Sequence, residues 1–268
     1  MTIVDSHCHA GLNWFEPIEL LLHQMNANGV NHGVLIQHRG TYDNQYLFEC
    51  AAQHPGRFAV VGLVDVTQPD APQALADLAE KGAIGVRFMA EQRWTGPDPL
   101  ALWSKAAECG LIVSCLGSVE AFASKKFQDL IARFDDLPVV IEHLAGAEPQ
   151  MPQPYTTYRR ALELARYPNT TIKVGGLGEI SQRPEVLGPT FAVDNTPPLI
   201  EMACETFGPK RMMWGSDYPP VSMREGYRNA LQGVSEHPAL SRPEDRKWVM
   251  RQTALNVFKL ADPAAAPD

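Results

Sequence analysis

Two histidines one residue apart, His7 and His9, stand at the end of the first apolar run, Ile3-Val4-Asp5-Ser6-His7-Cys8-His9. Alternate residues of a strand share a face, so both imidazoles can address one centre while Cys8 points away. Taken alone the pair is a weak signal, because His-x-His recurs by chance and two satisfied imidazoles explain it equally well. Two further runs add weight. Val139-Val140-Ile141-Glu142-His143 also ends in a histidine, and Met212-Met213-Trp214-Gly215-Ser216-Asp217 ends in an aspartate before Tyr218-Pro219-Pro220. Each has a dull explanation by itself, a hydrogen-bonded imidazole in one case and a carboxylate at a turn in the other. Together, His7, His9, His143 and Asp217 supply three imidazoles and a carboxylate, a donor set that suits Zn²⁺, or Mn²⁺. Zinc brings the pKa of a bound water near ~7, and Asp217 can take the proton as that water attacks a carbonyl. The chemistry so described is hydrolysis. Lys173 lies mid-strand within reach of an interior, but with no strand-end histidine after His143 the site is expected to hold at most one ion.

Four residues so far apart in the chain need a scaffold that brings strand ends together. Short β-branched runs recur at 3–7, 33–37, 58–64, 83–88, 111–115, 138–142, 170–174 and 211–214. Helical patterns fill the gaps, among them 17–28 opening on a proline, 74–81, 100–109, 119–134, 156–166 and 198–207. Repeated βα units imply a parallel sheet, and eight of them imply a closed (β/α)8 TIM barrel within the α/β class. No Gly-x-Gly-x-x-Gly follows the first run, which removes the main reason to expect a dinucleotide fold. Connections into strands are terse, such as Lys81-Gly82 and Cys109-Gly110. Those after strands are longer, above all 175–196, a length that points to a functional lid. Post-strand loops build the catalytic face of such a barrel, and His7 and His9 end their strand there.

The 268 residues, 45% hydrophobic, suffice for one barrel over 1–260, leaving 261–268 as a tail expected to fray. A net charge of -8 with no basic block argues against nucleic acid or an anionic membrane surface as a partner. No charged leader precedes the first run and no apolar stretch approaches the ~20 residues of a membrane span, so a cytoplasmic protein is expected, as monomer or homodimer. The five cysteines, Cys8, Cys50, Cys109, Cys115 and Cys204, are scattered and read as reduced.

Four segments in combination resemble the amidohydrolase superfamily, in its amidohydrolase-2 branch: Val4-Asp5-Ser6-His7-Cys8-His9; Val34-Leu35-Ile36-Gln37 with Asp43-Asn44; Gly85-Val86-Arg87-Phe88; and Trp214-Gly215-Ser216-Asp217-Tyr218-Pro219. Within it the chain is similar to lactonases of the 2-pyrone-4,6-dicarboxylate, sulfomuconolactone and sugar-acid types. The resemblance implies that water opens a small carboxylated lactone with Asp217 as general base. It also implies that Arg87 and Arg93 grip substrate carboxylates, joined by Arg183 in the long loop, a task to which a planar guanidinium is suited. His38, beside Arg39, adds to a mouth expected to be locally positive. On cofactors the resemblance divides, since some of these lactonases carry one zinc and others none. The chain also departs from the pyrone-lactonase pattern, with Cys115-Leu116-Gly117-Ser118 where that pattern has a tyrosine, and with His38-Arg39 in place of small polar residues. Two alternatives stand beside the lactonase: a metal-dependent non-oxidative decarboxylase of the same branch, for which 170–176 lacks the further histidine, and a non-catalytic binder of acidic metabolites, which would have no need of Asp217.

Overall fold

The computed structural model describes residues 2–261. Its strands are β1 (Val4–Cys8), β2 (His32–Ile36), β3 (Phe58–Gly62), β4 (Gly85–Met89), β5 (Ile112–Leu116), β6 (Val139–Ile141), β7 (Thr170–Val174) and β8 (Met212–Trp214). Each pairs in parallel with the next in chain order, and helices surround the sheet. This is the expected eight-stranded barrel, with strand ends displaced by one or two residues. The seam between β8 and β1 closes just past the end of β8, where Asp217 N donates to His7 O and His9 N to Tyr218 O, both at 2.8 Å. Buried Asp5 staples that seam from below, its carboxylate accepting from Ser216 N and from the Tyr227 hydroxyl, each at 2.8 Å. The tail expected at 261–268 falls, from 262 onward, outside the described residues.

β1 is not a regular strand. Val4 and Asp5 pair with His32 and Gly33, but Cys8 pairs with Leu35, so β1 carries one more residue than β2 across that stretch. The bulge breaks the alternation of faces. Val4 and His7, three residues apart, consequently both face the barrel interior, while Cys8 packs outward in the shell between sheet and helices. At the same level β8 comes so close that a Cβ on Gly215 would lie 2.5 Å from His7 Cβ and 2.8 Å from its backbone nitrogen. Only glycine fits there.

The interior is layered. An apolar floor of Val4, Val34, Ile36, Val61, Ile112, Val140 and Met213 is closed from beneath by Ala254, Leu255 and Phe258 of the last helix, Thr253–Phe258. Above it, β4, β5 and β7 carry Arg87, Ser114 and Lys173, and Glu142 follows the end of β6, all buried. Outside, helices such as Ile18–Ala27 turn a stripe of Ile18, Leu21 and Met25 onto the sheet. The single helix expected over 119–134 is two helices, Val119–Ala123 and Lys125–Arg133, because Ser124 adopts an extended conformation and its hydroxyl caps Phe127 N. The long segment after β7 has a turn of helix at Leu177–Ile180 and is then pinched by paired backbone hydrogen bonds between Gln182 and Asp194.

Candidate active site

The four chemistry-bearing residues meet at the C-terminal mouth of the barrel. His9 Nε2 and His7 Nε2 lie 3.4 and 3.8 Å from Asp217 Oδ1, and the His7 ring centroid is 4.9 Å from that of His9 and 4.8 Å from that of His143. His143 and Asp217 both have positive φ, 52° and 55°, a conformation that non-glycine residues seldom adopt. In His143 it begins a left-handed run through Leu144 and Ala145 that turns the chain sharply off the end of β6. Holding such residues costs about 1–3 kcal/mol each, and the cost falls on two of the four residues of the site.

Each imidazole is oriented by its second nitrogen. His9 Nδ1 donates to Ile36 O at 2.7 Å, and His143 Nδ1 bonds the carboxylate of Glu179, which directs both Nε2 atoms at the centre. Burial pushes His143 down, but the adjoining Glu179 carboxylate, aided by Asp217 and Glu142, more than compensates and lifts it to about 9. Asp217 shows the converse balance: burial raises it, whereas a hydrogen bond from His9 and the charges of His143, His9 and Arg224 bring it to about 2. Arg224 Nη1 donates to Asp217 Oδ2 at 3.0 Å, so Oδ1 is the oxygen left facing the histidines. Beneath them, Arg87 Nε and Nη2 donate to Glu142 Oε2 at 3.1 and 2.7 Å, and Ser114 donates to Oε1 at 2.7 Å. Lys173 Nζ lies 3.0 Å from Ser114 Oγ and 3.1 Å from His7 Nδ1. Desolvation lowers Lys173 to about 8 and takes His7 well below its ordinary value.

The remaining residues singled out in the sequence are dispersed around this centre. Arg87 is in the barrel but engages Glu142 and, at 3.3 Å, the carbonyl of Gln37. Arg93 turns back on its own loop, Nη1 donating to Ala90 O and Gln92 O. His38 is buried near the centre, its Nε2 2.7 Å from Thr41 Oγ1, and Phe15 packs between it and His9. Arg183 is exposed and, with Arg224, lines a cavity of about 730 Å³ under Val186, Leu187 and Phe191 of the long loop. Glu142, Glu179, Ser114 and Arg224 are the participants that spacing did not reveal. Glu142 had a signal, as the residue before a strand-end histidine; Glu179, in a single turn of helix within the long segment, and Arg224, in a loop, had none.

A barrel with imidazoles and a carboxylate at its C-terminal mouth is compatible with a hydrolase, and the comparisons with known proteins support that class. The amidohydrolase family model matches residues 14–260, and the chain belongs to that family. It is 30% identical to the L-fucono-1,5-lactonase of Burkholderia ambifaria over 210 residues, 75% of this chain and 68% of the relative. In fold it is similar to a candidate 2-pyrone-4,6-dicarboxylic acid hydrolase from Pseudomonas putida, with TM-score 0.77, 22% identity and coverage of 97% and 98% of the two chains. An amidohydrolase from Burkholderia multivorans, crystallised with bound zinc, matches with TM-score 0.77, 19% identity and coverage of 97% and 100%. This protein is a hydrolase. No helix among its described residues is long and apolar enough to cross a membrane.

The donor set can hold a divalent metal ion. His7, His9 and Asp217 offer ligand atoms within 4.8 Å of one another, as do His143, Glu179 and Asp217, and His7 Nε2 is buried without a hydrogen-bond partner. Carboxylate- and carbonyl-backed imidazoles are the usual surroundings of such an ion.

Proposed function

We propose that this hydrolase opens a small lactone by attack of water on its carbonyl, with Asp217 as general base. The observation that carries the reading is the placement of Asp217: Arg224 occupies Oδ2 and Oδ1 faces the histidines at the mouth, with the neighbouring His9, His143 and Arg224 holding the carboxyl below its ordinary value. Similarity to a lactonase supports the class of bond cleaved. Arg87 and Arg93 already have acceptors within the protein, which favours a hydroxyl-bearing sugar-acid lactone over a dicarboxylate held by paired arginines. Arg183, Arg224 and His38 then serve as polar groups around the ring, in the mouth and the adjoining cavity.

In this reading Oδ1 of Asp217 accepts a proton as the water oxygen bonds to the carbonyl carbon. It returns that proton to the ring oxygen as the ester bond breaks, leaving a hydroxy acid. The histidines stabilise the charge developing on the carbonyl oxygen, an effect that buried, pre-oriented groups supply well. A bound Zn²⁺, held by His7, His9, His143 and Asp217, would add Lewis-acid polarisation of that carbonyl and a more acidic water. The test is a panel of aldonolactones and carboxylated lactones assayed by acid release, with wild type and Asp217→Asn. The substitution should lower kcat about 10²–10⁴-fold with substrate affinity largely kept. Wild-type kcat in Asp217→Asn would remove the base, and turnover confined to dicarboxylates would overturn the sugar-acid preference.

A further inference from the structure

A neutral imidazole presents a lone pair on one nitrogen only if the other carries the hydrogen, and the group facing that other nitrogen makes the choice. Two of the three rings face acceptors. His9 Nδ1 meets the Ile36 carbonyl and His143 Nδ1 the Glu179 carboxylate, so in their neutral forms both turn a lone pair toward the site.

His7 is placed differently. Its Nδ1 faces Lys173 Nζ at 3.1 Å, and the direction of that hydrogen bond follows from the groups around it. The Glu142 carboxylate has no hydrogen to give, and its Oε2 already accepts twice from Arg87. Its Oε1 takes the only hydrogen of the Ser114 hydroxyl. Ser114 Oγ is therefore an acceptor toward Lys173, 3.0 Å away. A lysine ammonium has three hydrogens and no lone pair, so it donates to Ser114 and to His7 Nδ1 alike. The His7 hydrogen must then be on Nε2, a buried atom with no partner of its own, 3.8 Å from Asp217 Oδ1.

We propose that Lys173 is a positioning residue: at the end of the chain Arg87–Glu142–Ser114–Lys173 it holds His7 as the Nε2–H tautomer, a hydrogen-bond donor at the site and a disfavoured metal ligand. The carbonyl oxygen as recipient rests on the lactone reading; the tautomer does not. A metal that recruits His7 must displace the Nε2 hydrogen and work against the ammonium behind the ring.

The experiment uses the metal-free full-length protein with ¹⁵N-labelled histidines and long-range proton–nitrogen correlation, the His7 signals being identified by their loss in His7→Gln. His7 should show an unprotonated Nδ1 and a protonated Nε2; the opposite pattern overturns the proposal. In Lys173→Met the nearest charged acceptor for Nδ1 is Glu142 Oε1, 3.9 Å away, so the hydrogen should move to Nδ1. Zn²⁺, added alone and measured by competition with a chromophoric chelator, should then bind about 10-fold tighter or more, the scale of an outer-shell change. Lys173→Arg, which keeps a donor, should restore the wild-type pattern. An unchanged tautomer in Lys173→Met, or zinc binding no tighter than wild type, overturns the role of Lys173. If Lys173→Met fails to fold, the wild-type spectrum and Lys173→Arg still decide the tautomer. Lactone turnover enters none of these readings, so their failure is distinct from failure of the proposed reaction.

Discussion

Arg87 and Glu142 form a buried ion pair reinforced by Ser114, and each depends on the other to be tolerable there. Arg87→Met leaves the Glu142 carboxylate without its principal partner, and breaking such a buried pair costs about 3–5 kcal/mol. Burial would raise Glu142, but Arg87 foremost, then Lys173 and His143, bring it from 4.5 to about 2. A depressed carboxylate stabilises the fold above its unfolded value and loses that contribution as pH falls. The difference in urea midpoint between wild type and Arg87→Met should therefore be full above pH 4.5 and shrink as pH is lowered toward about 2; a difference independent of pH would remove Arg87 as the cause. His7, His9, His143 and Asp217 were legible because all four end apolar runs, and strand ends converge in a barrel. The acceptor for Arg87 was not, because Glu142 follows the end of β6, across β5, and pairing between non-neighbouring strands leaves no trace in local spacing. Arg224 and Glu179 were hidden for the same reason in stronger form, since Arg224 lies in a loop and the four-residue helix that carries Glu179 is too short to show a period.

At the scale of elements, β1 and β8 position most of the site, and their closeness rests on one missing side chain. Gly215→Ala would push a methyl into His7 Cβ and its backbone nitrogen, neither of which is a flexible end that can swing aside. Overpacking of this kind costs about 1–3 kcal/mol, to be read as a lowered midpoint in thermal or denaturant unfolding. Because the strain falls on the seam that sets His7 against Asp217, lactone turnover should drop as well; a variant with wild-type midpoint and turnover would show that the seam has slack. The eight strands were legible from β-branched runs between amphipathic stretches. The bulge in β1 was not, for one extra residue changes neither composition nor hydrophobic pattern. It altered the basis of the His-x-His inference: His7 and His9 share a face as expected, yet Val4 faces the same interior, which strict alternation forbids. The break at Ser124 had a legible cause, a good capping residue within an apparently continuous helix, but apolar periodicity continued across it.

At the scale of the molecule, the buried polar groups lie above the apolar floor, and Lys173 reaches down toward it, its Nζ 5.8 Å from the Phe258 ring. The (β/α)8 architecture was legible in full from the count and order of its units. The shape of the long post-β7 segment was not, because the Gln182–Asp194 pinch joins residues with no hydrophobic signature. The closed floor also determines traffic. Among the described residues the last helix packs across the lower end, so a substrate bound at the histidines enters and leaves by way of the mouth. In the proposed reaction the hydroxy acid formed is an anion beside Arg224, and while it occupies the mouth it excludes the next lactone. The product should accordingly inhibit in strict competition with substrate, more strongly at low ionic strength, and slow exit rather than bond breaking would set the pace of a fast enzyme of this build.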